Sequence, residues 1–204
     1  EKIIMAGKVK RPSIKDIDFD FNALKLIKNF ALDSKGDDRL LSTISIFFEN
    51  NGFPILDWKD QCKDLFIDKK CLTIKKPSKV SISNKDKGLD TFKLIGKADI
   101  AQSLIIQNNI VLGIEAAEGT DELIKRCFKY KNRGDKGILI KLSKYNQHSN
   151  LDIPVIGIET VKNLKAYDYD GVFLEKNKCM IIDKDEVIKF SNVNGIFIAS
   201  VDKN

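Results

Sequence analysis

The chain has 204 residues, long enough to bury a core without disulfides, and its 43% hydrophobic and 31% charged content describes an ordinary globular protein. The net charge of +6 raises nucleic acid as a partner, but lysines interleave with acidic residues, as in Lys184-Asp185-Glu186, without aromatic interleaving, so no nucleic acid is expected. No apolar run nears the roughly 18 residues of a spanning helix, and Cys62, Cys71, Cys127 and Cys179 lack the spacing of a zinc or redox site, which points to reduced thiols in the cytoplasm.

Ile3-Ile4-Met5-Ala6-Gly7 reads as the end of a buried strand entered partway, and Lys8-Val9-Lys10-Arg11-Pro12 as the basic turn leaving it. Phe21, Leu24, Ile27, Phe30 and Ala31 recur at helical spacing. Lys35-Gly36-Asp37-Asp38 breaks that pattern. Leu40, Leu41, Ile44, Phe47 and Phe48 then begin a second helix that Asn51-Gly52 stops, and Phe53-Pro54-Ile55-Leu56 is a short strand. Residues 59–90 are the least regular stretch, with Leu72-Thr73-Ile74 as a strand and Lys75-Lys76-Pro77-Ser78 as a basic turn. A helix is expected from Gly88 to Gly96.

The strand Leu104-Ile105-Ile106 turns at Asn108-Asn109 into a second one over 111–116, a hairpin signal. A helix over 121–130 buries Leu123, Ile124, Cys127 and Phe128, and Gly137 to Leu142 is a strand. After a polar loop, Leu151-Asp152-Ile153-Pro154-Val155-Ile156-Gly157 re-enters apolar structure and Glu159-Thr160 opens a helix to Ala166. Gly171-Val172-Phe173-Leu174 and Cys179-Met180-Ile181-Ile182 are expected to pair as a hairpin; a short helix from Lys184 to Ser191 and a closing strand from Gly195 to Val201 follow. Strands alternating with helices give an α/β class, a mixed sheet flanked by helices.

Glu115-Ala116-Ala117-Glu118-Gly119-Thr120-Asp121 concentrates three carboxylates where a strand passes into a helix. In open α/β folds ligands bind there, outside the carboxyl ends of the strands. Two readings stand side by side: Glu118 and Asp121 converge with Glu115 on a metal or a sugar hydroxyl, or Gly119 or Thr120 caps the helix while Asp121 and Glu122 face its positive end. Asp37 and Asp38 admit the same pair of readings. Lys10 and Arg11 follow one strand and Lys141, Lys144 and Gln147 another; each basic group suits a phosphate or a solvated face. Asp152, between Leu151 and Ile153, is an unusual packing residue and a site candidate. The sole histidine, His148, reads as a surface residue, and no nucleotide-cradling glycine loop occurs.

Taken in order, Gly7-Lys8-Val9-Lys10-Arg11-Pro12, Lys35-Gly36-Asp37-Asp38, Asp99-Ile100-Ala101-Gln102, the 115–121 stretch and 151–157 resemble the LpxI-type UDP-2,3-diacylglucosamine pyrophosphatases over essentially the whole chain. The resemblance implies an enzyme of lipid A biosynthesis that uses Mg²⁺ to hydrolyse UDP-2,3-diacylglucosamine to UMP and 2,3-diacylglucosamine 1-phosphate. By that resemblance, residues 1–12 are the last strand and exit turn of a truncated N-terminal α/β domain, 13–90 a helical and irregular interdomain region, and 91–204 the C-terminal catalytic α/β domain. Asp152 and Asp121 are then the catalytic carboxylates and, with Glu118, the metal ligands. Lys10, Arg11, Asp37, Asp38, Gln102, Glu115, Thr120, Lys141, Lys144 and Gln147 contact substrate.

The resemblance also implies a cytoplasmic protein peripheral to the inner-leaflet membrane surface, with an oligomer compatible. A non-catalytic lipid- or nucleotide-binding remnant and another UDP-sugar or phosphosugar enzyme are the alternatives. Family members carry Pro, Gly and an Asp-x-Arg in the loop where this chain has Tyr145, Asn146, His148 and Asn150, so weaker phosphate binding is expected.

Overall fold

A computed structural model describes residues 2–5, 37–56, 59–96, 101–144 and 153–203, with backbone alone at 37–43 and 60. The expected helix over 21–32 and the residues Lys10, Arg11, Gln147 and Asp152 lie outside the described residues, as do the side chains of Asp37 and Asp38. The chain forms two compact units, one of Glu1–Gln61 with Gln147–Asp152 and one of Cys62–Asn146 with Ile153–Asn204.

In the first unit, helix α1 (Asp37–Asn50) closes as expected at Asn51-Gly52, where Gly52 takes a φ of +83°. The chain then returns past Ile3. Ile3 N donates to Pro54 O at 3.1 Å and Leu56 N to Ile3 O at 2.8 Å, so the two expected strands meet as a single parallel bridge, Ile3 to Ile55. Ile4 is 53% exposed, so this stretch is not the buried strand its apolar run implies.

The second unit is organised by five apolar runs. β1 (Ser103–Gln107) and β2 (Ile110–Ile114) form the expected hairpin, because Asn108 and Asn109 both adopt positive φ, the turn whose twist matches paired strands. β3 (Ile138–Lys141) pairs antiparallel with β1, and β5 (Gly171–Glu175) and β7 (Phe197–Val201) extend the sheet in parallel, giving the order β2-β1-β3-β5-β7. α2 (Lys79–Ile95) precedes β1, and between the strands come α3 (Thr120–Phe128), β4 (Val155–Ile156), α4 (Ile158–Ala166), β6 (Met180–Ile181) and α5 (Lys184–Asn194).

Alternation along the strands divides the core. Ile105, Leu139, Val172, Leu174 and Ile198 pack with Leu123, Ile124 and Cys127 of α3, Val161 and Leu164 of α4 and Val187 of α5. Leu104, Ile106, Ile138, Ile140, Phe173, Phe197 and Ala199 pack on the opposite face with Phe92 of α2. Burial on both faces explains why these strands read as continuous apolar runs. Phe128, expected on the inner face of α3, is 48% exposed, since Leu123, Ile124 and Cys127 already cover the sheet.

Three further expectations are corrected. α2 begins at Lys79, nine residues before Gly88, where Ser78 Oγ accepts from Ser81 N at 3.1 Å. Its buried positions in the sheet-facing row are Ser81, Asn84, Gly88 and Phe92, which carry the helical period in small and polar residues. β6 does not pair with β5. Both edges of β5 are taken by β3 and β7, and the tight turn after Glu175 sends the chain to β4, with which β6 runs parallel: Met180 N donates to Pro154 O at 2.9 Å and Ile182 N to Ile156 O at 3.0 Å. Leu72-Thr73-Ile74 is not a full strand but lies along β7, with Leu72 N on Ile198 O at 2.9 Å and Thr73 Oγ1 accepting from Ile198 N at 2.9 Å.

Candidate functional site

The carboxyl ends of β2, β3, β5 and β7 share one edge with the amino end of the antiparallel β1. Register places Ser103 opposite Lys141, and Glu115 N continues the hairpin ladder by donating to Ser103 O at 3.0 Å. Glu115, Ser103 and Lys141 therefore emerge side by side toward α3. α3 starts at Thr120, after Gly119, whose φ of +85° is a conformation that L side chains rarely adopt.

The Thr120 hydroxyl is the centre of this group. It donates to Glu115 Oε1 at 2.9 Å, accepts from Lys141 Nζ and lies 3.3 Å from Ser103 Oγ. Lys141 is only 5% exposed, and its ammonium is 4.0 Å from Glu115 Oε2. That second Glu115 oxygen is shut from solvent and accepts no hydrogen bond. A buried ammonium facing a carboxylate with an unused oxygen is costly unless a further polar group completes it. The arrangement suits an incoming ligand that brings both phosphate oxygens and hydroxyl donors.

Of the two expected caps, Gly119 takes the cap position, with no side-chain hydrogen bond, and Thr120 is the first residue of α3, with Asp121 and Glu122 in its first turn as the capping reading expects. Glu118 and Asp121 do not meet at one point. Glu118 Oε1 accepts from Arg126 Nε at 2.9 Å and pairs with Nη2 at 2.7 Å, while its Oε2 accepts from Ala116 N at 3.1 Å. Burial pulls the Glu118 carboxyl upward, but backbone hydrogen bonds and the Arg126 guanidinium outweigh it and hold the group below its ordinary value. Asp121 Oδ1 accepts instead from the buried Thr160 hydroxyl of α4 at 3.0 Å, which fixes the carboxylate at the start of α3. Gln102 and Lys144 bracket the group: Gln102 O accepts from Leu142 N at 2.8 Å, and Lys144 follows two residues later.

Beside this group stands one that the motifs do not include. Glu175, 8% exposed at the end of β5, accepts from both the amide and the hydroxyl of Ser143 at 2.8 Å each, and Lys203 Nζ donates to Ser143 O at 2.5 Å. Burial lowers the Lys203 ammonium, against the opposing pull of Glu175. A charge closing the apolar run Gly171-Val172-Phe173-Leu174 is the same signal that singles out Lys141. Cys179 is buried under the edge; its thiol donates to Lys141 O at 3.1 Å, and burial pushes it up to about 12, so it is an inert support.

Among the described residues no three Asp, Glu, His or Cys side chains gather as a ready metal cage. Mg²⁺ asks for less, one or two carboxylates with water and substrate phosphate oxygens, and Asp121 is a carboxylate that could serve as one. Taking Glu118 as a second would require breaking its Arg126 pair.

Residues 1–65 match the LpxI N-terminal domain and residues 68–199 match the LpxI C-terminal domain. The chain belongs to the LpxI family. It is similar to the UDP-2,3-diacylglucosamine pyrophosphatase LpxI of Caulobacter vibrioides, 28% identical over 207 residues that span 98% of this chain and 74% of that protein. The LpxI C-terminal match holds Gln102, Glu115, Glu118, Thr120, Asp121, Lys141, Lys144, Gln147 and Asp152, while Lys10, Arg11, Asp37 and Asp38 fall within the LpxI N-terminal match.

Proposed function

We propose that this LpxI-family chain hydrolyses the pyrophosphate bond of UDP-2,3-diacylglucosamine, releasing UMP and 2,3-diacylglucosamine 1-phosphate for lipid A synthesis. The observation that carries the reading is the group that the buried Lys141 forms with the half-buried Thr120 and Glu115 at the carboxyl edge, within the span matched to the LpxI C-terminal domain. Lys141 and Lys144, with Arg11, neutralise the phosphate oxygens; Glu115 and Thr120 receive hydroxyls of the sugar or nucleoside.

Pyrophosphate hydrolysis is chiefly a matter of position and charge. Asp152 orients a water and takes its proton as the water oxygen bonds to phosphorus. The bond from that phosphorus to the bridging oxygen breaks, and the oxygen departs on the other product with its charge met by Lys141. Asp121 and Asp152 are the carboxylates that would hold Mg²⁺, and the ion would supply positive charge to the pyrophosphate. The acyl chains bring the protein to the inner leaflet from the cytoplasmic side as a peripheral protein. No helix among the described residues is long and apolar enough to cross a membrane.

Asp121→Asn and Asp152→Asn test the assignment. Each is expected to slow release of UMP by about a hundredfold or more, with the folded state unchanged by circular dichroism. Hydrolysis at the wild-type rate by both variants would overturn it.

A further inference from the structure

Ser143, just past β3, and Pro154, just before β4, are both bonded to the stretch that joins β5 to β6. At the first, the Glu175 side chain takes the amide and hydroxyl of Ser143, and Lys203 takes its carbonyl, so every polar group of Ser143 is bound by a side chain from another strand end. At the second, Pro154 O accepts from Met180 N, five residues after Glu175. The turn between is itself fixed: Lys178 N and Cys179 N donate to Glu175 O, Lys176 N to Val201 O and Asn177 N to Ile67 O. A backbone amide at a strand end needs no carboxylate to satisfy it, because water or the next strand serves. A buried carboxylate spent there costs desolvation, which two charge-assisted bonds and the nearby Lys203 ammonium offset.

From this geometry we infer that Glu175 is a positioning residue: through Ser143 it sets where Lys144 stands at the end of β3. The inference rests on the functional reading above, in which Lys144 binds a phosphate, and adds to it a residue that touches no substrate. A carboxylate held by two bonds on one face of the sheet edge, across from Lys141 on the other, defines the spacing of the two phosphate-binding ammonium groups.

A double-mutant cycle tests it. Glu175→Gln alone is expected to lower kcat/KM for UDP-2,3-diacylglucosamine by about tenfold, within the range that misplacement of a binding group costs. Ser143→Ala, which keeps the amide bond and loses the hydroxyl bond, gives a smaller loss. In the Lys144→Ala background Glu175→Gln should cost nothing further, because its effect passes through Lys144; a merely structural contribution would add in full. Additive losses, or Glu175→Gln at wild-type kcat/KM, would overturn the inference. Amide exchange at Ser143 and Lys144 is read on the same proteins: it should speed up in Glu175→Gln, and unchanged exchange counts against the clamp even if the wild-type protein leaves the diacylated substrate intact. That last result by itself would strike the functional reading, not the clamp.

Discussion

Lys141 shows how the carboxyl edge is charged. Its side chain leaves β3 almost wholly covered, reaching Thr120 and facing Glu115, so neither charge can be removed without stranding the other. Lys141→Met is expected to cost on the order of 2 kcal/mol of stability, read from urea unfolding, and Glu115→Gln in the same chain should recover part of it. A loss equal in the single and double variants would mean that the two groups do not sense each other. Glu118 acts differently. Because its carboxyl is held below the ordinary value of 4.5, its pair with Arg126 stabilises the fold at neutral pH, and that contribution is lost as pH falls below 4.5 through the depressed value. Both side chains are partly exposed, so the amount is small, roughly 0.2–1 kcal/mol. Arg126→Ala should lower stability at pH 7 and have less effect near pH 3; an equal effect at both would contradict the pairing.

At the scale of the elements, close packing between strands leaves little room for change. Gly171 opens β5 where an added Cβ would fall 2.4 Å from Phe197 O and 2.5 Å from its ring. Gly171→Ala is therefore expected to destabilise by about 1–3 kcal/mol, seen as a lower thermal midpoint; an unchanged midpoint would show that β7 can yield. The same packing explains what the amino-acid pattern reveals. β1, β3, β5 and β7 carry central apolar runs because both their faces are covered, so they stand out, and Asn108-Asn109 announces its hairpin by backbone chemistry alone. The first half of α2 stays hidden because its buried row is Ser81, Asn84 and Gly88, with no hydrophobic period to read. The pairing of β6 with β4 is equally hidden: adjacency in the chain favours a hairpin with β5, and only the occupancy of both β5 edges forbids it. At the site, Glu115, Thr120 and Lys141 are visible as polar residues at strand and helix ends. Glu175 carries the same signal, a charge closing an apolar run, but its bonds to Ser143, like that of Thr160 to Asp121, depend on which elements lie next to each other.

For the whole molecule, membership in the LpxI family and the geometry of one sheet edge point the same way. The LpxI C-terminal match runs from Asp68 into β7 and includes the edge residues Glu115, Thr120 and Lys141, and the LpxI N-terminal match covers residues 1–65. The net charge of +6 suits an anionic substrate, and lysines that alternate with acidic residues, as in Lys184-Asp185-Glu186, are a poor match to a nucleic-acid backbone. The most direct measurement is incubation of the purified protein with UDP-2,3-diacylglucosamine and Mg²⁺, followed by mass spectrometry of both products. Equal amounts of UMP and 2,3-diacylglucosamine 1-phosphate are expected. Intact substrate after prolonged incubation, or release of UDP in place of UMP, would contradict it.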